Sequence, residues 1–74
     1  MEKAELETRF TYHKPVGDQP VKYVQIRDTG HAFAFLVDNL MPDCREKSLA
    51  ITKIEEAVMW ANAGVARRDP RPVD

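Results

Sequence analysis

At 74 residues the chain holds one domain at most, and chains this short rarely bury enough apolar surface without a disulfide, a metal or association with further copies. Its single cysteine, Cys44, excludes an internal disulfide and a C-x-x-C zinc pair, and His13 and His31 stand too far apart in sequence to mark a metal site. Eleven basic and twelve acidic residues, spread evenly over both halves, leave no basic face for a nucleic-acid polymer, so any anion site must be local and suits a small ligand. No metal or cofactor is therefore expected, and association with copies of itself is the remaining source of burial. The acidic, polar start MEKAELETRF does not read as a secretion signal. The longest strongly apolar run, HAFAFLV, is far short of the roughly 20 residues a membrane-spanning helix needs. With a free cysteine as well, a soluble, reducing, intracellular setting is expected.

Residues 1–9 are polar and are expected to form a flexible N-terminus, ahead of a helical hairpin domain over 10–68 and a disordered tail, DPRPVD, over 69–74. Residues 10–16, FTYHKPV, read as extended, because Thr11, Tyr12 and Val16 favour β or irregular backbone and Pro15 turns Lys14 away from helix. VGDQP is a turn, with Asp18 or Gln19 as N-cap and Pro20 in the first helical turn, where its missing N–H costs little. A helix from about Pro20 to Met41 follows, with Ile26, Gly30, Phe33, Val37 and Leu40 along one face. A glycine at mid-helix costs about 1 kcal/mol relative to alanine, a cost usually tolerated for close approach of a neighbouring backbone or a ligand. Pro42 ends this helix. Asp43 and Glu46 are read as a capping box opening another helix that runs to about Arg68 on a stripe of Ile51, Ile54, Val58, Ala61 and Val65. The short connection makes the two helices antiparallel neighbours. The predicted fold is thus all-α: an antiparallel two-helix hairpin with a short extended N-terminal segment, assembling as a homo-oligomer. Assembly is expected because Leu49 and Trp60 lie on the back of the last helix, well over about 100° from its core stripe, where a hairpin has no third layer to cover them.

Candidate binding residues cluster in the strap and on the helices. Tyr12 is either an anchoring aromatic or a ring on which a base stacks. His13 and Lys14 beside it are a solvated turn or donors to an anion. Arg27, near Gly30, is an ion-pair member or a bidentate phosphate ligand. Asn62 inside a helix calls for a bonding reason, and Lys53 and Glu56 are a solvated or intersubunit pair. Cys44 reads as an inert loop residue. No nucleophile–base constellation, phosphate-cradling glycine loop or metal cluster is present, so residue pattern alone leads to a small oligomeric helical hairpin with an anion site.

One further pattern goes beyond this. REKSLAITKIEEAVMWANAGVAR, residues 45–67, closely resembles a run found in the phage nucleotide sponges that counter CBASS and Thoeris immunity, and FTYHKP followed by YVQIR resembles the start of their shared hairpin domain. The resemblance covers roughly residues 9–68. It implies a protein without catalysis that forms homo-oligomers, typically hexamers, in the cytoplasm of the infected bacterial host. Between protomers such proteins hold cyclic nucleotide messengers: cyclic dinucleotides and, in some members, cyclic trinucleotides on the anti-CBASS branch, cyclic ADP-ribose isomers on the anti-Thoeris branch. The brevity of the chain favours the anti-CBASS branch. By the same resemblance Tyr12 would stack on a base, Arg27 would pair with a phosphate, His13 and Lys14 would add donors, and Thr29 would add a hydroxyl beside Arg27. Asn62, Arg67 and Arg68 are candidates for a second, trinucleotide-type site. Gly64 stands where this pattern would carry alanine. A small helical DNA-binding regulator and a purely structural adaptor are the competing readings; the balanced charge argues against the former.

Overall fold

The computed structural model describes residues 1–69, in which three helices and no strand are present. Helix α1 spans Lys3–Phe10, α2 Gln19–Leu40 and α3 Arg45–Arg68. The expected pair of helices are α2 and α3, each within two residues of its predicted bounds. The hairpin is antiparallel: the Gln19 and Lys22 side chains, at the start of α2, bond to the Val65 carbonyl and to Asp69 at the far end of α3.

The N-terminal segment differs from the expectation. Lys3–Phe10 is helical, with Glu5 and Arg9 paired one turn apart at 2.8 Å. Ala4, Glu5 and Leu6 are good helix formers, and a Glu-to-Arg pair at i, i+4 adds support on the surface of a helix. Phe10 ends this helix and is 85% exposed. Backbone from Thr11 to Val16 is irregular and leads into a turn at Gly17, the one positive-φ residue among those described (φ 56°). Asp18 is the N-cap of α2 through its carbonyl, which accepts from Val21 and Lys22, while its carboxylate makes no cap bond and lies 3.6 Å from Lys22 Nζ.

The α2–α3 connection is also capped differently. The N-cap of α3 is Cys44, whose sulfur accepts the Lys47 N–H at 3.4 Å; Asp43 stands one residue too early for the reciprocal capping box with Glu46. Asp43 is used instead by Lys47, whose ammonium lies 2.8 Å from both Asp43 and Asp38 and so ties the last turn of α2 to the first turn of α3. The Asp38 carboxylate, followed by that of Asp43, raises the Lys47 pKa above the ordinary lysine value. At the other end Asp69, expected in the disordered tail, is the C-cap of α3 and pairs with Lys22 at 2.8 Å. The remainder of the predicted tail lies outside the described residues.

The facing surfaces explain why Gly30 is a glycine. A Cβ built there would run into Val58 Cγ2 and sit 4.0 Å from Ile54 Cγ2, so the two backbones approach because no side chain separates them. Ile26, Gly30, Ala34 and Val37 of α2 and Ile51, Ile54, Val58 and Val65 of α3 are half-buried. Phe33 and Leu40, predicted in the α2 stripe, are 55% and 74% exposed, and Ala61 of the α3 stripe is exposed too. The contact face of α2 is narrower than its sequence pattern, with Ala34 taking the place assigned to Phe33. No hydrophobic residue among those described is buried. The cause is shape: the molecule measures 50 × 30 × 14 Å, and its least dimension is little more than the roughly 10–12 Å diameter of one helix. A single layer has no inside.

Candidate ligand-binding surfaces

The strap over residues 11–16 is fixed at both ends and open between them. His13 Nε2 donates to the Thr8 carbonyl at 2.7 Å, folding the strap back on the last turn of α1. Gln19, 1% exposed and the most buried residue described, holds the other end: its Oε1 accepts the Val16 N–H at 3.1 Å and its Nε2 donates to the Val65 carbonyl at 3.2 Å. One amide thus joins the strap, the start of α2 and the last turn of α3. Tyr12 stands between these fixed points, 81% exposed. Lys14 is exposed as well, whereas His13 is half-buried with one ring nitrogen already committed.

Arg27 is exposed on α2 and forms no ion pair among the described residues, so the guanidinium is available to an anion. Thr29, two residues on, is rotated by about 200° around the helix axis. It lines an apolar groove of about 720 Å³ that runs along one side of the hairpin, with Gly30, Phe33, Val37, Ile54 and Val58 among its walls; Arg27 is not part of that groove. Within one protomer Thr29 and Arg27 therefore face different ways. Tyr12, Lys14 and Arg27 line neither this groove nor the cleft described next, and a site containing them lies on open surface or is completed by another molecule.

The structure does bring Arg67 and Arg68 together. With Arg9 they line a cleft of about 500 Å³ between α1 and the end of α3, whose other walls include Glu5, Phe10, Trp60 and Gly64. Arg68 Nη2 donates to both Glu5 oxygens, at 2.9 and 2.6 Å, and Arg67 Nη2 donates to the Arg9 carbonyl at 3.3 Å. The Arg68 guanidinium, and then that of Arg9, lowers the Glu5 pKa below its ordinary value. Gly64 leaves open space where a Cβ would project. Asn62, the remaining second-site candidate, lies on the α2-facing side of α3, one turn from Val58 and Val65, rather than in this cleft. Its Oδ1 is buried with no hydrogen-bond partner among the described residues.

Sequence reasoning overlooked Glu5, Arg9 and the bridging role of Gln19. The Glu-x-x-x-Arg spacing in ELETR was a readable helix signal that would have placed the first two. Nothing local marks Gln19, because its partner Val65 lies 46 residues away. Lys53 and Glu56 pair within the chain at 3.5 Å. Among the described residues no group of His, Cys, Asp and Glu is placed to hold a metal, and no helix is long and apolar enough to cross a membrane.

Comparison with known proteins adds to this geometry. No solved structure matches the chain. A curated relative, "Thoeris anti-defense 1" of Bacillus phage SBSphiJ7, is 53% identical over 32 residues, which is 43% of this chain and 22% of that protein. The chain thus aligns with only about a fifth of the relative's length. The family model described as "Acb2/Tad1, hairpin domain" matches residues 2–66, which takes in α1, the strap, α2 and nearly all of α3. The chain therefore belongs to the Acb2/Tad1 hairpin-domain family, the group of phage anti-CBASS and anti-Thoeris sponges that its last helix resembles.

Proposed function

We propose that this protein binds a cyclic oligonucleotide messenger in the cytoplasm of the infected bacterial host, withholds it from the host's effectors and leaves it chemically intact, blocking CBASS immunity. The observation that carries this reading is the family match over residues 2–66, which includes the strap as well as the hairpin. The working assembly is a homo-oligomer, a hexamer by resemblance to the family, and the ligand is a cyclic dinucleotide held between copies. Tyr12 stacks on a base, Arg27 pairs with a phosphate, and His13 and Lys14 add donors from the strap. A two-fold ligand suits a site built from two copies of one surface. The exposure of Tyr12 and the free guanidinium of Arg27 support these roles. Thr29 is retained as a ligand donor only where a second protomer supplies the face opposite Arg27. Arg67 and Arg68, with Asn62, are the second-site candidates, for a cyclic trinucleotide.

A second reading is favoured by the curated relative, whose name ties it to Thoeris: the same surfaces would hold a cyclic ADP-ribose isomer. A thermal-shift screen against cyclic dinucleotides, cyclic trinucleotides and cyclic ADP-ribose isomers separates the two, because a ligand bound only by the folded state raises the melting temperature. Heating the complex is expected to release the ligand unaltered; recovery of linear nucleotide would mean an enzyme. Binding of duplex DNA at low salt would favour the DNA-regulator reading, and silence across the whole panel a structural adaptor.

A further inference from the structure

Helix α1 is held to the hairpin by charge rather than by packing. None of its residues is buried. Its ties to α3 are the bonds from Arg68 to the Glu5 carboxylate, at 2.9 and 2.6 Å, and the bond from Arg67 to the Arg9 carbonyl at 3.3 Å. Arg9 adds a third bond to the same carboxylate, at 2.8 Å. One carboxylate therefore engages two of the three guanidiniums that line the cleft, and the third is held by the backbone of the same helix.

A carboxylate and a phosphate compete for a guanidinium on equal geometric terms, since each offers oxygens to its N–H donors. The cleft also presents two exposed rings, Phe10 and Trp60, beside those donors. We propose that α1 is a built-in competitor for this cleft: Glu5 occupies the arginines when no ligand is present, and a phosphate-bearing ligand must take them from it, releasing α1 from α3. The inference rests on the reading of Arg67 and Arg68 as ligand-facing, and it adds their regulation. Release is inexpensive because an exposed ion pair contributes little to stability. Coupling of this kind is reciprocal: whatever loosens α1 strengthens anion binding, and whatever binds the anion loosens α1.

The test titrates the full chain with inorganic pyrophosphate by calorimetry at low, fixed ionic strength, comparing wild type with Glu5→Gln and Glu7→Gln. Glu7 is on the same helix but does not line the cleft, so its substitution controls for net charge. Glu5→Gln is expected to bind about 2- to 5-fold more tightly than wild type, and Glu7→Gln to match wild type. In wild type, which needs no substitution, pyrophosphate is expected to speed amide hydrogen exchange over residues 3–10. Equal affinity in the two variants, slower exchange over that helix, or no pyrophosphate binding by any of the proteins would overturn the proposal. A parallel titration with a cyclic dinucleotide, repeated in Tyr12→Ala, reports on the sponge reading separately, since the strap site does not use these arginines.

Discussion

At Gly30 and Gly64 the same substitution is expected to have opposite effects. Alanine at either position relieves the roughly 1 kcal/mol penalty of a mid-helix glycine. At Gly64 the new methyl enters open space, so Gly64→Ala should stabilise the fold by about that amount, read as a higher urea midpoint. At Gly30 it meets Val58, and overpacking of about 1–3 kcal/mol outweighs the helical gain, so Gly30→Ala should lower the midpoint. Asn62 is a further residue-scale test. Its buried, unpaired Oδ1 costs about 1–3 kcal/mol, so Asn62→Leu should raise stability in the isolated chain. A fall instead would show that the amide stabilises the chain through its own contacts, and the unpaired oxygen would then not be a net cost. For the proposed messenger site, Tyr12→Ala should weaken cyclic nucleotide binding by about 5- to 150-fold, because stacking on an aromatic ring contributes about 1–3 kcal/mol per base. Full affinity in that variant would remove Tyr12 from the site and leave family membership untouched.

The elements are joined end to end by ion pairs that respond to pH in opposite directions. The pKa of Glu5 is lowered by Arg68 and then Arg9, so its contribution is complete above the ordinary glutamate value of about 4.3 and is lost as the pH falls through the lower folded value. Asp43, lowered by Lys47, follows the same sign. Lys22, raised chiefly by Asp69, contributes fully below the ordinary lysine value of about 10.4 and loses that contribution as the pH rises through its higher folded value. Acidification below about pH 4.3 should therefore loosen α1 from α3, while strong alkali should loosen the start of α2 from the end of α3. Amide exchange or backbone NMR shifts followed by segment would show which end opens in each limb. Both long helices were legible in sequence, because proline, turn residues and apolar periodicity bounded them. Helix α1 is masked in the sequence by its polarity, which hides the Glu5–Arg9 spacing, and the cap at Cys44 is masked by a capping-box pattern one residue earlier and by the rarity of sulfur as a cap acceptor.

At the scale of the molecule, a slab one helix thick cannot shield its apolar side chains. Phe33, Phe35, Leu36 and Leu40 on α2 and Leu49, Met59 and Trp60 on α3 are each between 47% and 74% exposed. The groove lined by Phe33, Val37 and Ile54 is a further uncovered apolar surface. Self-association follows from this as an expectation: light scattering should give a mass several times that of one 8.5 kDa chain, and Leu49→Glu with Trp60→Glu should reduce that mass and lower the melting temperature by several degrees. A monomeric wild type at micromolar concentration would refute it.

The sequence by itself determined the two long helices, their antiparallel pairing and the family, since all three are written in local periodicity or in contiguous residues; why position 30 is glycine was decided by Val58 across the hairpin. Only the tertiary structure decided which face of α2 meets α3, that Gln19 ties the strap to Val65, and that Glu5 closes over Arg68. Each of these depends on where distant segments come to lie in space, and side-chain spacing along one helix carries no information about what stands opposite it.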